Sequence, residues 1–216
     1  MVLLIRHLES EKNVKNSFSS NLDNEKLTEF GEDEGKKLAD NIYYYVKKNN
    51  FKISNVYCAK STRAISTAKI IADKLNVKIE PFEDLKSNKA GLLKGKKEEE
   101  ATSLNPTFMK QLKLFRAGVF SSYDFINLFE REDKHDFECR VNACLDSILS
   151  NSTEDLIIIV LHHSSLTAIA IRYARLFYSY PNNFYGHIAC DLGNIYLIDS
   201  NGIIFCNESS SILLEL

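Results

Sequence analysis

Three apolar runs in this 216-residue chain stop where imidazoles or guanidiniums begin. Val2 to Ile5 leads to Arg6-His7. Val56-Tyr57-Cys58-Ala59 leads through Lys60-Ser61-Thr62 to Arg63. Ile157 to Leu161 leads to His162-His163. Two imidazoles and two guanidiniums gathered in one place disfavour each other's charged forms, and a bound anion relieves that cost. Arginine forks match phosphate oxygens in a bidentate manner, and helix amino-termini add backbone donors. An imidazole kept neutral by neighbouring arginines is a nucleophile at neutral pH. The chemistry such a set suits is attack on a phosphoryl group.

The elements that must position these residues alternate between strand and helix. Strands are predicted at Val2 to Ile5, Asn55 to Ala59, Val77 to Ile79 and Leu156 to Leu161. The pair Ile195 to Ile198 and Ile203 to Cys206 flanks a Ser200-Asn201-Gly202 turn and reads as a hairpin. Thr28 caps a predicted helix whose Leu38, Ile42, Tyr45 and Val46 recur at helical spacing, and Asn49-Asn50 ends it. Ser61-Thr62 opens a second helix with the stripe Ala64, Ala68, Ile71, Ala72 and Leu75. A third is expected from about 136 to 149, and a fourth, capped by Ser164 or Ser165, runs through Phe177. Glu11 to Lys26 reads as a polar loop. The expected fold is α/β: a three-layer doubly wound, mostly parallel sheet with helices on both faces, an antiparallel edge and a cap insertion. One domain, 1–216, is expected, with the cap at about 85–135. Neighbouring parallel strands would carry all three basic ends to one sheet edge, the crevice where ligands bind in such folds.

Composition narrows the classes. Hydrophobic residues make up 44% and charged residues 26%, with a formal charge of −2. That balance argues against nucleic acid as a partner. The longest apolar run, Leu156 to Leu161, falls far short of a membrane span. Arg6 interrupts the apolar start too early for a signal peptide, so a cytoplasmic protein without membrane association is expected. The five cysteines, Cys58, Cys139, Cys144, Cys190 and Cys206, are scattered without a C-x-x-C and read as reduced thiols. No metal motif appears among them.

The motifs resemble those of the histidine phosphatase superfamily, the phosphoglycerate-mutase-like group. Leu4-Ile5-Arg6-His7-Leu8-Glu9-Ser10 looks like its L-x-R-H-G-[EQ]-[ST]. Leu27-Thr28-Glu29-Phe30-Gly31 looks like L-T-x-x-G, and Arg63-Ala64-Ile65-Ser66-Thr67-Ala68 matches R-A-x-x-T-A. Val160-Leu161-His162-His163-Ser164-Ser165-Leu166 is similar to V-S-H-G-[GN]-x-x, and Asn13 falls where members carry an Asn. The resemblance implies that His7 is the nucleophile forming a phosphohistidine, that Arg6 and Arg63 hold the phosphoryl oxygens, and that His162 donates to them. It places Ser10 and Asn13 on the substrate-binding side, where His163 is a further candidate. No metal or other cofactor is implied, because the arginines serve as the cationic clamp. The implied activity is that of a phosphohydrolase acting on a phosphorylated small molecule or a phosphoprotein.

Three departures stand out. Leu8 and His163 replace glycines expected to line the pocket, and His163 is either a third imidazole toward substrate or a side chain turned away. The family's general acid is usually a Glu in L-x-E-x-x-x-G-x-x-x-G. Leu85-Lys86-Ser87-Asn88-Lys89-Ala90-Gly91-Leu92-Leu93-Lys94-Gly95 fits that frame with Ser87 at the Glu position. A serine is a poor donor to a leaving alkoxide, so Asp84 and Glu83 are the candidate substitutes. The alternatives to a phosphatase are a phosphoglycerate mutase and a weakly active relative that binds a phosphoryl ligand. The mutase branch's E-R-H-Y-G-x-L-x-G-like stretch lacks its Glu, Arg and Tyr here.

Overall fold

The computed structural model describes residues 1–15, 24–107, 110, 132–178 and 191–206. Among the described residues, six strands form one sheet in the order β3-β2-β4-β1-β5-β6. They are β1 (Val2–Arg6), β2 (Asn55–Ala59), β3 (Lys78–Phe82), β4 (Ile157–Leu161), β5 (Ile195–Ile198) and β6 (Ile203–Cys206). The first four run parallel, with Arg6 opposite Leu161 and Cys58 opposite Val160. β5 is antiparallel to β1, and the β5–β6 hairpin is the antiparallel edge. β1 and β4 are buried along nearly their whole length, as central parallel strands covered on both faces must be. Cys58 lies in this core, and burial pushes its thiol up to about 12.

Helices pack around the sheet. They are α1 (Glu11–Val14), α2 (Glu29–Asn49), α3 (Thr62–Leu75), α4 (Glu98–Leu104), α5 (Lys134–Asn151) and α6 (His163–Tyr178). α2 packs on α3 and α5 on α6. The Thr28 hydroxyl accepts from Gly31 N at 3.0 Å, the cap read from the sequence, and Asn50 closes α2 in the left-handed region. Two expectations need correction. The loop after β1 contains the single turn α1, because Asn13 folds back on Ser10. α6 begins at His163, ahead of both candidate caps; Ser165 instead accepts from His162 N through its hydroxyl at 3.2 Å. Of the cap expected at about 85–135, residues 108–109 and 111–131 lie outside the described residues. Its described parts are 3-10 turns at Glu83–Leu85 and Gly91–Leu93 and helix α4, which bury Leu85, Leu93 and Ala101.

α2 approaches the segment after β1 so closely that a Cβ on Gly31 would stand 2.3 Å from the Glu9 carbonyl oxygen. Backbone cannot yield that far without moving the loop that follows His7. Gly31→Ala is therefore expected to lower stability by about 2–3 kcal/mol. A denaturant midpoint unchanged from wild type would contradict this packing.

Candidate active site

The β1–β4 register places two imidazoles side by side. His7 N donates to Leu161 O at 2.9 Å, so pairing continues one residue beyond β1 and His162 follows at once. The ring centroids are 5.1 Å apart at 70°. Arg63, the second residue of α3, comes from the far side of β4, because β2 pairs with that strand and Ser61 turns the chain into the helix.

Arg63 is 1% exposed and joins the set. Its Nε donates to His7 Nε2 at 3.3 Å, and its Nη2 lies 3.2 Å from His162 Nδ1. A guanidinium has no acceptor, so both ring nitrogens present lone pairs to it. His7 Nδ1, 2.8 Å from the Leu8 carbonyl oxygen, must then carry that ring's proton. His162 Nε2 likewise donates to Ser61 Oγ at 3.0 Å. Ser61 makes no side-chain cap bond to α3, because its hydroxyl is engaged by the histidine. Thr67 locks the frame: its hydroxyl donates to Arg63 O at 2.8 Å and accepts from Leu8 N at 3.2 Å.

Burial, then the charges of Arg63 and Arg6, hold His7 well below its ordinary value of 6.5. Burial, then Arg63 and His7, do the same to His162. Both rings are neutral at pH 7. The unfolded chain binds protons near pH 6.5 and the native chain does not, so the stability present above 6.5 is lost as pH falls below it. Each ring contributes a slope of up to about 1.4 kcal/mol per pH unit in that window. The urea midpoint of the phosphate-free protein should fall from about pH 7 to about pH 5, and His162→Gln should flatten the fall. Identical pH profiles for the two proteins would show that His162 is not held neutral.

The remaining predicted residues are distributed unevenly. Arg6 adds its charge beside both rings. Ser10 is buried, and the Asn13 carboxamide oxygen accepts from its hydroxyl at 2.6 Å and its N–H at 3.1 Å. That leaves the Asn13 amide nitrogen as the donor the pair can offer a ligand. His163 is partly buried at the start of α6. Leu8 does not reshape the pocket. It is 2% exposed in the core, its methyls set against Gly35 and Gly193.

The structure does not bring Glu83 and Asp84 to the imidazoles. Their 3-10 turn buries Leu85, which turns both neighbours outward. Glu83 pairs with Lys86 at 3.0 Å, and exposed Asp84 lies by Cys144 of α5, where its charge adds to the burial that pushes the thiol up to about 11. The segment bearing Ser87 is clamped from α5. Arg140 donates to the carbonyls of Asp84 at 2.7 Å, Lys86 at 3.0 Å and Ser87 at 3.2 Å, and to both Glu132 carboxylate oxygens at 2.6 and 2.7 Å. Asn88 N donates to Ser164 Oγ at 3.3 Å.

Two site residues escaped the sequence reading. Glu25, 8% exposed, accepts from Arg63 Nη1 at 3.1 Å. Lys12 adds a further positive charge beside both rings. Both sit in what read as a polar loop, where no periodicity singles out one charged residue from the next. Among the described residues no group of three or more His, Cys, Asp or Glu is placed to hold a metal ion, and no helix is long and apolar enough to cross a membrane.

A parallel sheet that gathers an arginine-bonded histidine pair at its carboxyl edge is the arrangement of a phosphoryl-transfer protein. The chain belongs to the histidine phosphatase superfamily (branch 1), whose family model matches residues 2–202. It is 34% identical over 103 residues to the 2,3-bisphosphoglycerate-dependent phosphoglycerate mutase of Thermoplasma acidophilum, a match spanning 48% of either chain, about half the length of that relative. Among solved structures, the phosphoglycerate mutase from Bacillus anthracis superposes with a TM-score of 0.72 at 16% identity, over 99% of this chain and 94% of that one. A mycobacterial glucosyl-3-phosphoglycerate phosphatase complexed with VO3 gives 0.71 at 14% identity, over 97% and 99%.

Proposed function

We propose that this protein is a phosphohydrolase that cleaves phosphomonoesters through a phosphohistidine on His7. The observation that carries the reading is the tautomer set by the Leu8 carbonyl: it leaves His7 Nε2 as a bare lone pair on the donor edge of Arg63. A phosphoryl group entering the pocket replaces the imidazoles as acceptor for the Arg63 fork and frees Nε2 to attack. Arg6 lies beside the group, and His162, protonated as the dianion arrives, donates to a phosphoryl oxygen. Charge that builds at phosphorus is met by donors already in place, which is where most phosphoryl-transfer catalysis arises. Water then attacks the phosphohistidine and releases phosphate. Substrates are phosphorylated small molecules or a phosphoprotein, selected by the cap proposed at about 85–135.

The test is hydrolysis of p-nitrophenyl phosphate, its inhibition by vanadate, and acid-labile phosphate on a histidine after rapid quench. Turnover without a phosphorylated histidine would refute the reading. The Thermoplasma relative favours a mutase as the second reading. Isomerisation of 3-phosphoglycerate, primed by 2,3-bisphosphoglycerate and faster than phosphate release, would establish it instead.

A further inference from the structure

We infer that Glu25 is the acid–base group of this site, doing what a carboxylate at Ser87 would otherwise do; this rests on the phosphohistidine reading above. One buried guanidinium holds the three groups such chemistry needs. Arg63 bonds the nucleophilic nitrogen of His7 through Nε at 3.3 Å, His162 through Nη2 at 3.2 Å, and the Glu25 carboxylate through Nη1 at 3.1 Å. A phosphoryl group seated on His7 Nε2 and the Arg63 fork therefore lies beside that carboxylate.

The backbone fixes Glu25 relative to His7. Glu11 N donates to Lys26 O at 3.0 Å, Thr28 N to Glu9 O at 3.1 Å, and Ser10 bridges Leu27. The segment bearing Glu25 is thus laced to the segment that leaves β1. Among the described residues, the Glu9, Glu132, Glu83 and Asp84 carboxylates are engaged elsewhere. Glu9 accepts from the Thr28 hydroxyl at 2.7 Å, Glu132 is held by Arg140, and Glu83 and Asp84 face away.

Occupancy makes Glu25 take up a proton from water. Arg63 stabilises the Glu25 carboxylate. A phosphoryl dianion set on the same guanidinium puts two anions side by side, and a nearby like charge favours the neutral carboxyl. His7 Nε2 then forms its bond to phosphorus while the bond from phosphorus to the ester oxygen breaks. That oxygen leaves with the electron pair and takes the Glu25 proton. In the second half, a water oxygen bonds phosphorus, the N–P pair returns to Nε2, and the water proton restores the Glu25 carboxyl.

Leaving-group dependence tests this. For Glu25→Gln, kcat/KM on glycerol 2-phosphate should fall at least about 100-fold, and on p-nitrophenyl phosphate less than about fivefold, because only the alkoxide needs a proton. Phosphohistidine should also accumulate in the variant, since water loses its base. Glu25→Asp keeps an acid, so it should retain at least about tenfold more alkyl-phosphate activity than Glu25→Gln, and it serves if the amide variant misfolds. Equal losses on the two esters in whichever variant folds, or full alkyl-phosphate activity in Glu25→Gln, would overturn the assignment. Undiminished turnover in His7→Ala would instead remove the phosphohistidine reading beneath it.

Discussion

Replacing His7 with alanine is expected to lower kcat on any phosphomonoester by a factor of about 10⁴ or more, the usual scale for losing a covalent nucleophile. The geometry makes the loss hard to bypass. Leu8 O occupies the Nδ1 side of the ring, so Nε2 alone is available, and His162 offers its free pair to Arg63 while its other nitrogen donates to Ser61. Neither nitrogen of His162 is positioned to take over the attack. Arg6, Arg63 and His162 remain in the variant, so vanadate should still bind with an affinity within about tenfold of wild type. Isothermal titration with vanadate and rapid-quench labelling separate the two effects. A variant that still forms acid-labile phosphoenzyme would place the nucleophile elsewhere.

Arg63→Ala should damage both folding and catalysis. Arg63 and Glu25 form an ion pair whose side chains are 1% and 10% exposed. Removing one partner of a buried pair leaves an uncompensated charge, which costs about 3–5 kcal/mol. Catalytically, the fork that receives the phosphoryl oxygens is gone, and loss of one such donor lowers kcat/KM by about 10² to 10³. The double variant Arg63→Ala/Glu25→Gln tells the two effects apart. With no stranded carboxylate, thermal stability should largely recover while activity on p-nitrophenyl phosphate, which needs no acid, does not. Recovery of both would mean that Arg63 acts only as a counter-ion to Glu25.

How much of this could be read from the sequence follows from the range of the forces involved. The convergence of Arg6-His7, Ser61 to Arg63 and His162 was legible because parallel strands of apolar residues place their ends by register, and register depends on the period-two backbone. The ends of α2 were legible because Thr28 and Asn50 act on their own turns. Leu8 was not. Its direction is decided by glycines 27 and 185 residues away that leave room for its methyls. Ser61 looked like an ordinary helix cap, and only the arrival of His162 from β4 redirects its hydroxyl. Glu25 is an acidic residue in a polar stretch until Arg63 is buried beside it.

The Arg140 clamp has a consequence for how such a scaffold diversifies. Asn88 and Lys89 are bonded to Glu132 across 44 and 43 residues of chain, and Arg140 holds that carboxylate and the preceding carbonyls together. The two ends of the stretch between them are therefore pinned to each other. Doubling the length of such a loop costs only about 0.6 kcal/mol of closure entropy. Changes in chain length between the two pinned ends can therefore leave the fastening, and the strands that carry His7 and His162, in place.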